Sequence, residues 1–200
     1  MLLDGIGSKG VDKRHIRAEW QSQGIELAFF SPVSRASFLL VNHINHRKLA
    51  IIDGKIGYTG GFNLGVEFLG VGPLGYWRDA HVRIEGSGAH GLQSLFMSDW
   101  EFSTGQNLSG AEYFPTHAGS GAEIVQVNAS GPDSEWTSIR LAYFRMISTA
   151  EKSIRLTTPY FFPDPGLVAA LEAAALSGVD VKIMTPGVFD KPVIQLAGRT

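Results

Sequence analysis

Six residues of specified type fall in one short run of this chain: His46-x-Lys48, then Asp53 after four further residues, then Gly60-Gly61-x-Asn63 after six more. An imidazole two residues from an ammonium suits chemistry on a phosphate. The lysine neutralises non-bridging oxygens, and the histidine, which titrates near neutrality, can attack phosphorus or carry protons. Paired glycines let backbone approach a ligand closely, and the Asn63 amide can donate to a phosphoryl oxygen. Taken singly, each piece has an ordinary explanation. His-x-Lys is common on surfaces, Asp-Gly is a turn, and Gly-Gly ends a strand. The fixed spacing of all six, on one hairpin that converges them, marks a site.

The element that must position them is that hairpin. "KLAIID" and "IGYTGG" are β-rich runs on either side of Gly54-Lys55, the pattern of a tight turn. Side chains at i and i+2 of a strand share a face, so His46 and Lys48 are expected to project together from the leading end of the first strand. Around the hairpin the chain reads as strand "MLLD", loop "GIGSKG", helix "VDKRHIRAEWQSQ" and strand "GIELAFF". After it come strand "DAHVRIEG" and helix "GLQSLFMSDWEF". "STGQNLSGAEYFPTHAGSGA" is the linker candidate. Beyond it "AEIVQVNAS", "SIRLTTPYFF" and "VDVKIMTPG" read as strands, alternating with helices in "SEWTSIRLAYFRMISTA" and "PGLVAALEAAALSG". Pro165 stands near the start of the last helix and Gly178 past its end. This layout predicts βαβ units and a mixed α/β fold in two parts, 1–110 and 120–200, with the break between about residues 104 and 121.

The composition narrows the chemistry. The chain has 200 residues, 44% hydrophobic and 18% charged, an ordinary globular balance. The formal net charge of −2 supplies no broad basic field, so no nucleic-acid partner is expected and any anion site must be local. There is no cysteine, which excludes thiol catalysis and thiolate metal sites. No apolar run reaches the ~18 residues of a membrane span. His43-x-x-His46 lacks a third ligand at zinc-site spacing, so neither metal nor cofactor is expected. His15, His43, His81, His90 and His117 read as surface or strand residues, and Tyr160 and Asp164 of "TPYFFPD" as strand-end residues.

At all six positions "HRKLAIIDGKIGYTGGFN" resembles the H-x-K-x4-D-x6-G-G-x-N signature of the phospholipase D superfamily. With "LLDGIGS", "YWRDAHVRIEG", "LQSLFMSDW", "TPYFFPD" and "GVDVKIMTPG", the likeness extends over nearly the whole chain and is greatest to bacterial cardiolipin synthases. The resemblance implies phospholipase D-like mixed sheets flanked by helices, in two similar lobes that each carry one motif and face each other across a cleft. One histidine attacks the phosphodiester, the other protonates the leaving alcohol, and no metal takes part. The implied reaction joins two phosphatidylglycerol molecules into cardiolipin and releases glycerol.

Carried onto this sequence, the catalytic signature residues are His46, Lys48 and Asp53. His46 is the nucleophile or the acid/base, and Asp53 has a structural or hydrogen-bonding role. Lys48, Asn63, Gly60 and Gly61 bind the phosphate. Asp79 of "WRDAH" stands where a carboxylate orients the histidine, although a plain strand-start aspartate reads equally well. A single motif is present. "IMTPGVFDKPV" can be laid over "MLLDGIGSKGV", with Gly187 on Gly5, Lys191 on Lys9 and Val193 on Val11. The chain therefore reads as the later part of a first lobe (1–110) and the earlier part of a second (120–200). The second motif is expected from a C-terminal part or from a dimer. The expected partners are a phosphatidylglycerol substrate and, through a longer parent protein, the surface of the bacterial cytoplasmic membrane. A phospholipase D or nuclease-type phosphodiesterase completed by dimerisation, or an inactive fragment, are the alternatives.

Overall fold

The computed structural model describes residues 1–5, 7–8, 13–30, 44–70, 77–116, 121–131 and 138–187. The chain is mixed α/β and forms two compact units, Met1–Val127 and Asn128–Thr200.

The first unit opens with β1 (Leu2–Asp4), α1 (Lys13–Ser22) and β2 (Ala28–Phe30). β1 and β2 pair in parallel, with Leu2 opposite Ala28 and Asp4 opposite Phe30. Parallel neighbours need a crossover, and α1 supplies it. Leu27, Ala28 and Phe29 are buried, and the Arg17 guanidinium lies 5.7 Å over the Phe29 ring. Next come β3 (Leu49–Ile52), β4 (Ile56–Gly60) and β5 (His81–Glu85), an antiparallel meander in the order β3-β4-β5. Leu49 faces Thr59, and Gly60 faces His81.

The β3–β4 turn is closed by the Lys55 N–H donating to the Ile52 carbonyl at 2.9 Å. Asp53 (φ 55°) and Gly54 (φ 64°) both take left-handed backbone. The tight turn therefore centres on Asp53-Gly54, one residue earlier than the sequence indicated. Aspartate and glycine are among the residues that tolerate this geometry.

α2 (Gly88–Thr104) packs across the meander. Gly57 on β4 leaves room for Leu92, and Gly88 for Ile84; a Cβ at either glycine would meet those side chains within 3.0 Å. Ala89, Leu92 and Trp100 are buried on α2, a side chain of leucine's size contributing about 1.5–3 kcal/mol when fully buried. The Trp100 indole donates to Gln106 Oε1 at 3.1 Å. Gly105 (φ 72°) ends the helix by donating to the Glu101 carbonyl at 2.8 Å.

Residues 121–130 carry no strand, contrary to the expectation for "AEIVQVNAS". Two of their apolar side chains meet a helix surface instead of a sheet edge: Val125 lies against Gly88, and Val127 against Gly91, while Ile124 stays exposed. Residues read as a linker belong to the first unit. The Tyr113 carbonyl and Pro115 ring sit beside Gly54, and Phe114 meets His90 edge-on at 5.5 Å.

The second unit contains α3 (Ser138–Ser148), β6 (Ser153–Thr157), α4 (Pro165–Leu176) and β7 (Asp180–Met184). β6 and β7 pair in parallel from Ser153–Asp180 to Thr157–Met184, with α4 as the crossover. Ile147, Leu171, Ala174 and Val179 form its buried core. Pro165 occupies the first helical turn, where its missing N–H costs nothing. Of the stretch aligned with the chain's beginning, residues 188–193 lie outside the described residues.

Candidate active site

His46 and Lys48 stand together, as their spacing predicts. Lys48 Nζ is 3.1 Å from His46 Nδ1 and donates to the His46 carbonyl at 2.8 Å. They are not on a strand, however. β3 begins at Leu49, and residues 44–48 have no ladder partner among the described residues. Side chains hold this segment instead. The Asn45 N–H donates to Asp4 Oδ2 at 3.0 Å, and the Asn45 amide to Asp99 Oδ2 at 2.7 Å. Arg47 reaches the same α2 carboxylate, at 2.7 Å to Oδ1 and 2.9 Å to Oδ2. The alternation of a strand thus survives without the strand. Residues 45 and 47 turn to anchoring carboxylates, and 46 and 48 bring their side chains together elsewhere.

Asp4 itself is fixed at the end of β1, where Oδ1 accepts the Gly7 N–H at 2.5 Å. Asp4, Asn45, Arg47 and Asp99 were missed in the sequence. The signal for Asn45 and Arg47 was present in the period-two pattern that selected His46 and Lys48. Asp4 and Asp99 lie 41 and 54 positions from Asn45 and announce themselves by no local pattern.

At the same end of the hairpin, where Leu49 faces Thr59, Gly60 and Gly61 make room for protein. A Cβ on Gly61 would stand within 3.0 Å of the Asp79 carboxylate, and one on Gly60 would meet the Ala80 carbonyl and His81. The Gly61 N–H donates to the Ala80 carbonyl at 3.0 Å, and Asp79 Oδ1 accepts the Ala80 N–H at 2.7 Å. This closure brings Asp79 near Lys48. Partial burial lowers the Lys48 ammonium from its ordinary range, while the nearby charges of Asp79 and Asp4 act in the opposite direction. A cation carried into a part-desolvated place by two carboxylates is prepared for an anion.

Asn63 is exposed beyond the glycine pair. An aromatic group flanks it: Phe62 stacks on His81 at 5.3 Å, and Phe68 lies 5.4 Å from Phe62 and 6.0 Å from Trp77. Asp53 sits in the turn, at the opposite end of β3 from His46, and its backbone conformation accounts for its place. Asp164 caps α4, accepting the Gly166 and Leu167 N–H groups while Arg140 pairs with both carboxylate oxygens. His43 and His117 lie outside the described residues.

With its His-x-Lys pair at a strand's leading end and its Gly-Gly pair set against a carboxylate, this mixed α/β chain is similar to the phospholipase D superfamily. Residues 143–199 match the family described as cardiolipin synthase, PLD-like domain. Over 98% of its length the chain is 43% identical to the cardiolipin synthase of Listeria monocytogenes serotype 4a (strain HCC23). It is 42% identical, again over 98%, to the major cardiolipin synthase ClsA of Bacillus subtilis (strain 168). Over its whole length it is 40% identical to the cardiolipin synthase of Alkalihalophilus pseudofirmus (strain ATCC BAA-2126 / JCM 17055 / OF4). The chain spans 42% of the length of the first two relatives and 40% of the third.

Proposed function

We propose that the protein transfers a phosphatidyl group between two phosphatidylglycerol molecules, forming cardiolipin and glycerol through a phosphohistidine. The supporting observation is the 3.1 Å approach of Lys48 Nζ to His46 Nδ1, in a chain similar throughout to cardiolipin synthases. A phosphodiester arriving beside this pair offers the ammonium a stronger, anionic acceptor than an imidazole nitrogen. Lys48 then moves its donor to a non-bridging oxygen, and Asn63 adds a second donor at the same phosphate. His46 attacks phosphorus as a free base, a nitrogen–phosphorus bond forms, and the bond to the glycerol oxygen breaks. That alkoxide leaves with a proton from an acid supplied outside this motif. In the second half, the terminal hydroxyl of another phosphatidylglycerol gives its proton to that same group, now a base, and attacks the phosphohistidine. The nitrogen–phosphorus bond breaks and His46 is restored.

On this reading, Asp79 orients the histidine and keeps the lysine charged, Gly60 and Gly61 let it approach, and Asp53 shapes the turn. A second motif comes from further sequence or from a second copy of the chain. We place the reaction at the bacterial cytoplasmic membrane, where the substrate resides; among the described residues no helix is long and apolar enough to cross a membrane. The boundary between the two lobe portions falls near the division of the compact units at Val127 and Asn128.

The test uses the protein as its gene encodes it, incubated with labelled phosphatidylglycerol, with and without a chelator. Cardiolipin and glycerol should appear in equal amounts, and acid-labile label should be trapped on His46. His46→Ala should lose turnover by many orders of magnitude, while the exposed side chain's removal changes stability by no more than about 0.5 kcal/mol. Lys48→Ala should also be severely impaired. Activity retained in His46→Ala, or abolished by the chelator, overturns the mechanism.

A further inference from the structure

The phosphate-attacking pair lies in a segment outside the sheets of the described residues, and one carboxylate on a neighbouring helix takes both residues that flank the histidine. We infer that Asp99 is the positioning residue of this site, fixing the direction of His46 and Lys48 by clamping Asn45 and Arg47. The inference rests on the reading of His46 as the reactive histidine.

The geometry is specific. Asp99 accepts from Asn45 Nδ2 at 2.7 Å and from Arg47 at 2.7 and 2.9 Å, so both carboxylate oxygens are engaged. Its side chain is 14% exposed and that of Arg47 30%, which shields the pair more than a surface ion pair is shielded. The carboxylate stands on firm ground. The next residue, Trp100, is 4% exposed in the core, and the seventeen-residue helix is seated on all three strands of the meander. Residues 45 and 47 are one bond-pair away from His46 on each side. With both held, the peptide planes on either side of His46 are fixed, and His46 and Lys48 project together. The guanidinium charge of Arg47 is directed at Asp99, which distinguishes its role from that of Lys48. Asp99 touches no reacting atom, so it acts through its neighbours. Misplacement of a reacting group by about 1 Å can cost on the order of 100-fold in rate.

The experiment compares Asp99→Ala and Asp99→Asn with the unsubstituted protein, again as its gene encodes it, by phosphatidylglycerol kinetics and by amide hydrogen exchange. Asp99→Ala should lower kcat by about 10- to 100-fold while KM stays within about threefold, because substrate contacts remain but the attacking group is misdirected. Asp99→Asn keeps the shape and one acceptor and should fall between. Exchange at residues 45–48 should rise by about tenfold with β3–β5 and α2 unchanged. A kcat within twofold of the unsubstituted value, a change in KM alone, or faster exchange throughout α2 and the meander would each overturn the assignment. The two readings fail separately. If no His46-dependent transfer is found, the proposed reaction falls, and exchange at residues 45–48 still decides the role of Asp99. If transfer depends on His46 but the Asp99 variants keep both kcat and exchange, only the positioning role falls.

Discussion

Substituting Gly61 by alanine tests whether Asp79 closes over the glycine pair. An added Cβ would lie under 3.0 Å from the Asp79 carboxylate, whereas ordinary contact lies at 3.4–4 Å. The backbone at Gly61 needs no left-handed conformation, so the whole effect acts through that carboxylate. Asp79 can give way only by turning from its rotamer and leaving the Ala80 N–H, which it now meets at 2.7 Å. A net hydrogen bond is worth about 0.5–1.5 kcal/mol and an off-rotamer torsion about as much. Gly61→Ala should therefore cost about 1–3 kcal/mol. The measurement is a double-mutant cycle by urea unfolding, with Asp79→Ala as the second substitution. Asp79→Ala removes the atoms in conflict, so Gly61→Ala in that background should cost less than about 0.5 kcal/mol. Equal costs in the two backgrounds would refute the closure, and with it the account of why Gly61 is glycine.

Two further outcomes follow from the charged groups. Arg140 foremost, with the Gly166 and Leu167 amides, holds the Asp164 carboxyl at about 2, below its ordinary value. A carboxyl depressed on folding contributes stability that is complete above the unfolded value, about 3.9, and is lost as pH falls through about 2. Exchange protection at the start of α4 should weaken across that window in the parent chain, and Asp164→Asn should remove that pH dependence; an unchanged acid limb would count against the pair. Asp79→Asn deletes a charge that raises the Lys48 pKa, so the Lys48 ammonium should titrate lower still, as read by carbon NMR of its terminal methylene; no downward movement would mean that Asp79 lies too far away to act.

Local chemistry made the hairpin legible in the sequence, because β-branched runs and an Asp-Gly pair specify strands and a turn without help from distant residues. Pro165 and Gly178 did the same for α4. The likeness over "HRKLAIIDGKIGYTGGFN" went further and pointed to a superfamily. Where tertiary contact decides, the sequence was silent or misleading. The alternating residues 122–130 look like a strand, yet Val125 and Val127 settle on glycines of α2. Those same glycines weakened the helical signal at its start, so α2 begins at Gly88 where periodicity placed it at Gly91. Gly61 looked like room for a ligand, and the structure fills that room with Asp79. The Asp99 clamp was illegible for a different reason: its partners lie on elements separated by the whole meander.

The clamp also gives residues 44–48 a parity. Odd positions anchor and even positions carry the chemistry, although no ladder enforces a register. Removing Arg47 would break this phase: with Leu49 held in β3, His46 would fall where Arg47 stands and Asn45 where His46 stands, separating the reactive pair. Loops ordinarily tolerate a change of one residue better than strands do. This one has the length intolerance of a strand, imposed on it from outside by a carboxylate three turns along a helix.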